Sequence, residues 1–283
     1  MYRIKFAKYH ALGNDFLVID LTRRRNLPIN FGSLAVNVCR RNSGIGADGI
    51  LVLTNSRKAD CTMDVYNADG SWAERSGNGM RCTAAYLYAG RARKKRIAIE
   101  TIQGISEAEI IKSEKISFMI RVSVGSPVFE TRLIPMKSRH RFHINLPIRM
   151  AGVSIPVTVL AVGNPHCVLF IDNFDFDWQT MGSEIENDSA FPNRTNVEFV
   201  KIVNRGRIIL RDWERGAGAT GSSGTGASAA VAAGVVTGLL NRQVEVVFPS
   251  GSLFVDWSDN DNIIRLTGPA AFVCRGEYHF EHR

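Results

Sequence analysis

Residues 73–82 read AERSGNGMRC, and residues 220–230 read TGSSGTGASAA. Each stretch places a serine, Ser76 or Ser223, directly before a Gly-x-Gly turn, Gly77-Asn78-Gly79 or Gly224-Thr225-Gly226. Small and apolar residues at helical spacing follow both turns, so each reads as the opening of a helix. The first backbone N–H groups of a helix have no partner within it, and the helix dipole adds positive potential at the same end. Such an opening suits a carboxylate or a developing oxyanion, and glycine lets that group approach the backbone. One turn of this kind is also satisfied by an ordinary serine N-cap. Two of them, one in each half of the chain, predict two mirrored halves of a single site.

Outward from the first turn, YRIKFAKYHALGNDFLVID reads as two strands joined at Gly13-Asn14, and a helix is expected near Ser33 to Arg41. SGIGADGILVL supplies a glycine-rich loop and a strand, and CTMDVYNADGSWAE a hairpin turning at Asp69-Gly70. Strands are expected after the first helix at residues 96–101, 105–112 and 115–124, closed by Gly125 and Pro127. In the second half, strands are expected at 141–146 and 155–160, with AVGNPHCVLFI setting a turn inside a further pair and a helix around 177–186. TNVEFVKIV and RIILRDWE read as strands, the second long helix as residues 227–240, and two strands at 244–248 and 252–257 precede the closing IIRLTGPAAFVCRGEYHF. The fold class is therefore α+β, two similar units each built around one central helix. The domains are placed at residues 1–127 and 128–283, with the last strand able to pack back on the N-terminal one.

With 283 residues the chain exceeds one typical core, which agrees with two domains. The N-terminus MYRIKFAKYH has charges spread through it, and no segment reaches the roughly 20 apolar residues of a membrane span. A cytoplasmic protein is expected. Cys39, Cys61, Cys82, Cys167 and Cys274 are scattered and form no C-x-x-C pair, the pattern of structural thiols in a reducing compartment. The formal charge of +8 comes partly from short basic runs at 23–25, 91–96 and 137–141. These lack interleaved aromatics, so a solvated surface is expected and nucleic acid is not the partner.

The ordered set HALGNDF, SGIGADGI, NADGS, SGNGMRC, GNPH, FPNRTNVEFV, ERGAGAT and SGTGASAA resembles the diaminopimelate epimerase family over essentially the whole chain. That resemblance implies two domains, each a curved sheet wrapped around a central helix, with the active site in the cleft between them. It implies an amino-acid epimerase that needs no pyridoxal phosphate, metal or other cofactor and moves a proton at Cα with two bases. Diaminopimelate is the default substrate, and a homodimer is compatible with the family. By motif, Asn14, Asn67, Asn164, Asn196, Glu214 and Arg215 would hold the substrate, and Gly77, Asn78, Gly224 and Thr225 would donate to the reacting carboxylate. Ser76, Ser223, His166 and Glu214 would form the catalytic set.

Both catalytic positions are cysteine in the family pattern and serine here. A thiol with a reference pKa of about 8.5 reaches the thiolate at a helix opening, whereas each further pKa unit costs about 1.36 kcal/mol in forming the base. A serine needs an adjacent group to take its proton, and His166 and Glu214 are the candidates. Cys82 lies inside the helix and Cys167 on the far face of a strand from His166, so neither is expected to replace the missing thiols. Trp72, Arg75, Ala219 and Ser222 also depart from the pattern near the two turns. The alternatives are an impaired or silent amino-acid-binding homologue, and a related racemase or dehydratase acting on another amino acid.

Overall fold

The computed structural model describes residues 2–22, 27–74, 76–90, 94–150 and 153–281. Arg23–Arg25, Arg75 and Arg91–Arg93, named above as basic or departing positions, lie outside the described residues. The chain divides into two compact units, Met1–Val122 with Thr267–Arg283, and Ser123–Leu266.

In the first unit, β1 (Tyr2–Ala11) and β2 (Asn14–Asp20) form an antiparallel hairpin over Gly13, whose φ of +87° puts it in the left-handed region. Helix α1 (Phe31–Val38) then carries the chain to β3 (Gly49–Thr54), which lies parallel to β2. The antiparallel partner of β3 is β4 (Cys61–Asn67), which turns through Gly70 at φ +85° into the short β5 (Trp72–Ala73). Helix α2 (Gly77–Gly90) returns the chain to β6 (Arg96–Thr101), parallel to β4. The antiparallel strands β7 (Gly104–Glu114) and β8 (Ser117–Gly125) follow. The last strand of the chain, β17 (Ile264–Phe280), pairs with β8 and runs antiparallel to β1 from Tyr2↔Phe280 to His10↔Ala271. Eight strands, β1-β2-β3-β4-β6-β7-β8-β17, thus close into a ring with no free edge, the arrangement that removes unpaired strand edges. Helix α2 packs on β1, β2, β6 and β7, and residues 78–85 with Leu87 are buried, as expected of a helix enclosed on all sides.

The second unit repeats this order. An antiparallel pair, β10 (Val153–Ala161) and β11 (Pro165–Ile171), leads through α3 (Trp178–Glu186) to β12 (Asn196–Asn204), parallel to β11. Next come the antiparallel β13 (Arg207–Glu214) and the two-residue β14 (Gly218–Ala219), then α4 (Gly224–Val236). The unit ends with β15 (Gln243–Phe248), parallel to β13, and β16 (Gly251–Trp257), antiparallel to β15. An extra strand, β9 (Leu146–Met150), borders β10. Helix α4 is buried from Gly226 to Gly234 against β10, β11, β12 and β16. No helix among the described residues is long and apolar enough to cross a membrane.

Two sequence expectations are corrected. The strand expected at 141–146 does not form before its last residue: Phe142 makes only an isolated bridge to Glu130, and Asn145 sits at φ +49° with its N–H donating to Thr158 Oγ1. Side-chain and left-handed backbone geometry there replace the ladder, which starts only at Leu146. Helix α4 begins at Gly224 and stops at Val236, because Gly238 turns left-handed at φ +76° and the N–H groups of Leu239 and Leu240 both donate to Gly234 O.

Candidate functional site

The two serine turns have the same local geometry. Ser76 Oγ accepts from Gly79 N at 2.9 Å while Met80 N donates to Ser76 O at 2.9 Å. Ser223 Oγ accepts from Gly226 N at 3.1 Å while Ala227 N donates to Ser223 O at 3.0 Å. Both hydroxyls therefore cap a buried helix, and each uses a lone pair to do so, so the cap itself does not consume the hydroxyl hydrogen. The backbone N–H groups of Gly77, Asn78, Gly224 and Thr225 precede the first intrahelical bonds and have no partner within the described residues. Gly79 and Gly226 are glycine for a steric reason. A Cβ on Gly79 would lie 2.9 Å from Leu51 Cδ2, and one on Gly226 would lie 3.1 Å from Glu198 Oε1 and 3.2 Å from Ser223 Oγ.

Around the first turn the amides form a chain. Asn78 Nδ2 donates to Asn14 Oδ1 at 3.1 Å, and Asn14 Nδ2 donates to Asp48 Oδ2 at 2.8 Å. Asp48 is held by Arg41 Nη2 at 2.7 Å, and Arg41 together with Lys8 also grips Asp15. Asn67 is exposed and donates to Ser71 Oγ at 2.9 Å, so it shapes the β4–β5 turn; its neighbour Ala68 joins that turn to Asp48 through an N–H···O bond of 3.0 Å. Trp72 is exposed beside it, with Nε1 directed at Asp64 Oδ1 at 3.4 Å.

In the second unit the residues expected at the site do meet, around two further acids that the sequence reading missed. His166 is fully buried; its Nδ1 lies 2.6 Å from Glu198 Oε1 and its Nε2 2.8 Å from Asn164 Oδ1. Neither nitrogen bonds a serine. Asn196 is buried, donating to Pro165 O at 2.7 Å and accepting from Arg215 N at 3.0 Å. The Arg215 side chain is exposed and donates to Asn193 O at 3.3 Å. Glu214 Oε1 accepts from Thr220 Oγ1 at 2.6 Å, and the same hydroxyl meets Asp212 Oδ2 at short range. Glu198 and Asp212 are direct partners across β12 and β13, and Glu214 lies two residues on, on the same face. Alternation could have revealed Asp212, since Ile208, Leu210 and Asp212 form the buried face of β13. Glu198 is likewise a lone acid inside the buried run NVEFV.

Charge and hydrogen counting constrain this cluster. Thr220 carries one hydroxyl hydrogen but faces two carboxyl oxygens, so one of Asp212 and Glu214 holds a proton. Burial pushes the Asp212 carboxyl well above the usual carboxylate range, with the charge of Glu214 adding to the shift. Burial raises Glu214 and Glu198 as well, opposed at Glu198 by His166. Glu198 Oε2, Asp212 Oδ1 and Ser222 Oγ are buried without a hydrogen-bond partner. The cysteines near both turns are inert by contrast. Burial takes Cys82 up to about 12 and Cys167 well above its ordinary value, which leaves both as neutral thiols.

A family model described as diaminopimelate epimerase matches residues 6–130 and 158–273. The diaminopimelate epimerase of Pelotomaculum thermopropionicum is 42% identical over 97% of this chain and 99% of its own length. That of Carboxydothermus hydrogenoformans is 41% identical over 97% of this chain and 99% of its own. Among solved structures, a probable proline racemase from Agrobacterium radiobacter superposes with a TM-score of 0.72 at 14% identity, covering 98% of this chain and 93% of that one. A phenazine biosynthesis protein of the PhzF family from Bacillus anthracis gives a TM-score of 0.68 at 16% identity over 99% of this chain and 100% of that one. These two likenesses concern the fold.

Proposed function

The chain belongs to the diaminopimelate epimerase family, and from that membership we propose that it is an amino-acid epimerase acting on diaminopimelate, with Ser76 and Ser223 at the two proton-transfer positions. The single observation that carries this reading is the duplicated helix opening: a hydroxyl that caps through a lone pair, followed by two backbone N–H groups with no partner among the described residues, once in each unit. Inversion at Cα needs two proton-carrying groups and strong stabilisation of the charge that develops on the α-carboxylate when the proton leaves. Oriented N–H groups supply that stabilisation without reorganising during the reaction. Gly77, Asn78, Gly224 and Thr225 are assigned as these donors. Asn14, Asn67, Asn164, Asn196 and Arg215 are assigned to the rest of the substrate, and Glu214 with His166 to proton traffic. Arg215, exposed and cationic, suits the distal carboxylate. A cytoplasmic setting accords with a biosynthetic enzyme of a small polar substrate.

A second reading, an amino-acid-binding homologue with little or no turnover, is favoured by one feature of the site. Neither hydroxyl is hydrogen-bonded to a base, for Ser76 Oγ meets Gly79 N and Ser223 Oγ meets Gly226 N and, at 3.5 Å, Thr225 Oγ1. Incubating the wild-type chain with LL-diaminopimelate in deuterium oxide separates the two. The enzyme reading expects deuterium at the α position and formation of the meso isomer, with a large rate increase when both serines are changed to cysteine. Binding without any exchange, reversed only by Ser76→Cys with Ser223→Cys, would establish the silent homologue. Absence of both binding and exchange, in the wild type and in the double variant, would sink the substrate assignment.

A further inference from the structure

Arg81, one turn into α2, is fully buried, and none of its partners among the described residues is a carboxylate. Its Nε donates to Pro269 O at 3.3 Å, its Nη1 to Gly77 O at 3.5 Å and its Nη2 to Asn78 Oδ1 at 2.5 Å. A buried charge is ordinarily paired, because removing it from water is costly. Burial lowers Arg81 only to about 10, so it stays cationic at neutral pH. The positive charge sits beneath the Gly77–Asn78 turn, where it adds to the helix dipole.

The same residue fixes a direction. Guanidinium only donates, a carboxylate only accepts, and an amide does both. Because Arg81 donates to Asn78 Oδ1, the Asn78 amide must turn its NH2 toward Asn14; because Asp48 accepts, Asn14 must turn its NH2 toward Asp48. The two ends agree, and each leaves the neighbouring amide one orientation. If either end could both donate and accept, the direction would no longer be set from that side.

We propose that Arg81 is a positioning residue: it orients the amides of Asn78 and Asn14, with Asp48 as the opposite terminus, and supplies the buried positive charge that makes the first helix opening hold a carboxylate. This rests on the assignment of that opening to the substrate carboxylate. Its consequence for specificity is that the opening selects an anionic head group and rejects the corresponding amide or ester.

The test compares Arg81→Lys, Arg81→Gln and Asp48→Asn in the full chain. Two readouts are used: the side-chain NH2 resonances and hydrogen exchange of Asn78 and Asn14 without ligand, and calorimetric Kd for diaminopimelate. Arg81→Gln and Asp48→Asn are each expected to shift the Asn78 and Asn14 NH2 resonances, to speed their exchange, and to weaken Kd by about tenfold to a hundredfold, the worth of one charge-assisted hydrogen bond. Arg81→Lys, still a donor-only cation, is expected to fall between Arg81→Gln and the wild type in both readouts. Should Arg81→Gln fail to fold, Asp48→Asn decides, since the Asp48 side chain is 39% exposed and lies at the other end of the chain of amides. Unchanged resonances and Kd in a folded variant would overturn the proposal, as would Arg81→Lys behaving no better than Arg81→Gln. If the wild type binds no diaminopimelate, the substrate assignment fails while the ligand-free resonances still decide the role of Arg81.

Discussion

Asp212 is a buried carboxyl of the second unit without a cationic partner among the described residues. It is 1% exposed, stands opposite Glu198, and has an oxygen with no partner. No lysine or arginine contacts it among the described residues, and its shared hydroxyl, Thr220, offers a single hydrogen. The carboxyl therefore keeps its proton to higher pH when folded than when unfolded, where its pKa is about 3.9. A raised folded value gives stability that is full below the unfolded value and lost as pH rises through the folded one. Wild-type stability measured by denaturant titration across a pH series should accordingly fall as pH rises from about 4 through the raised value. Asp212→Asn, which cannot ionise and retains a donor for its neighbours, should flatten that slope. Parallel curves for the two proteins would show that Asp212 does not titrate in this interval. Arg81 in the first unit presents the opposite case, a buried cation that among the described residues meets neutral oxygens. The sequence reading singled out neither residue, although each is a charge inside a segment whose buried pattern could have exposed it. Their partners were not legible there, because Glu198 and Pro269 are reached only through the fold.

Helices α2 and α4 are where structural and chemical demands on the serines coincide. Each hydroxyl satisfies one N–H that would otherwise be orphaned, so Ser76→Ala and Ser223→Ala should each cost about 1 kcal/mol of unfolding free energy, whatever they do to activity. Chemical denaturation checks the stability loss, and α-proton exchange on the same samples checks the chemistry. A loss of exchange with no loss of stability would mean that the hydroxyls do not cap. The elements themselves were largely readable from residue spacing. Turn residues marked both hairpins, at Gly13 and Gly70, and helical spacing marked α2. The expected strand at 141–146 and the overlong α4 went astray where backbone geometry decided. Asn145 adopts the left-handed region, and Gly238 ends a run whose apolar residues continue to Leu240. A pattern of side-chain polarity carries no record of such a backbone turn.

At the scale of the molecule, the two units share one order of strands and helices, with α1 and α3 entering and α2 and α4 buried at equivalent steps. The ring of the first unit is closed only by β17, whose pairing joins the two ends of the chain at Tyr2↔Phe280. A chain ending at Ile263 would leave β1 and β8 as open edges, so it should lose cooperative unfolding and aggregate. Circular dichroism melts and size-exclusion chromatography would check this; a soluble, cooperatively melting truncation would disprove it. By itself the sequence determined the α+β class, the paired helix openings and most of their amides, because caps, turns and periodicity act over a few residues. The tertiary structure alone decided that β17, which the sequence reading allowed to pack back on the N-terminal domain, closes a ring between β8 and β1, that Glu198 faces Asp212, and that a guanidinium lies buried under the first opening. The pairing of Tyr2 with Phe280 and the bond from Arg81 to Pro269 join residues far apart in the chain, Glu198 meets Asp212 only through the register of β12 and β13, and the energies come from burial and the loss of water, which no local pattern encodes.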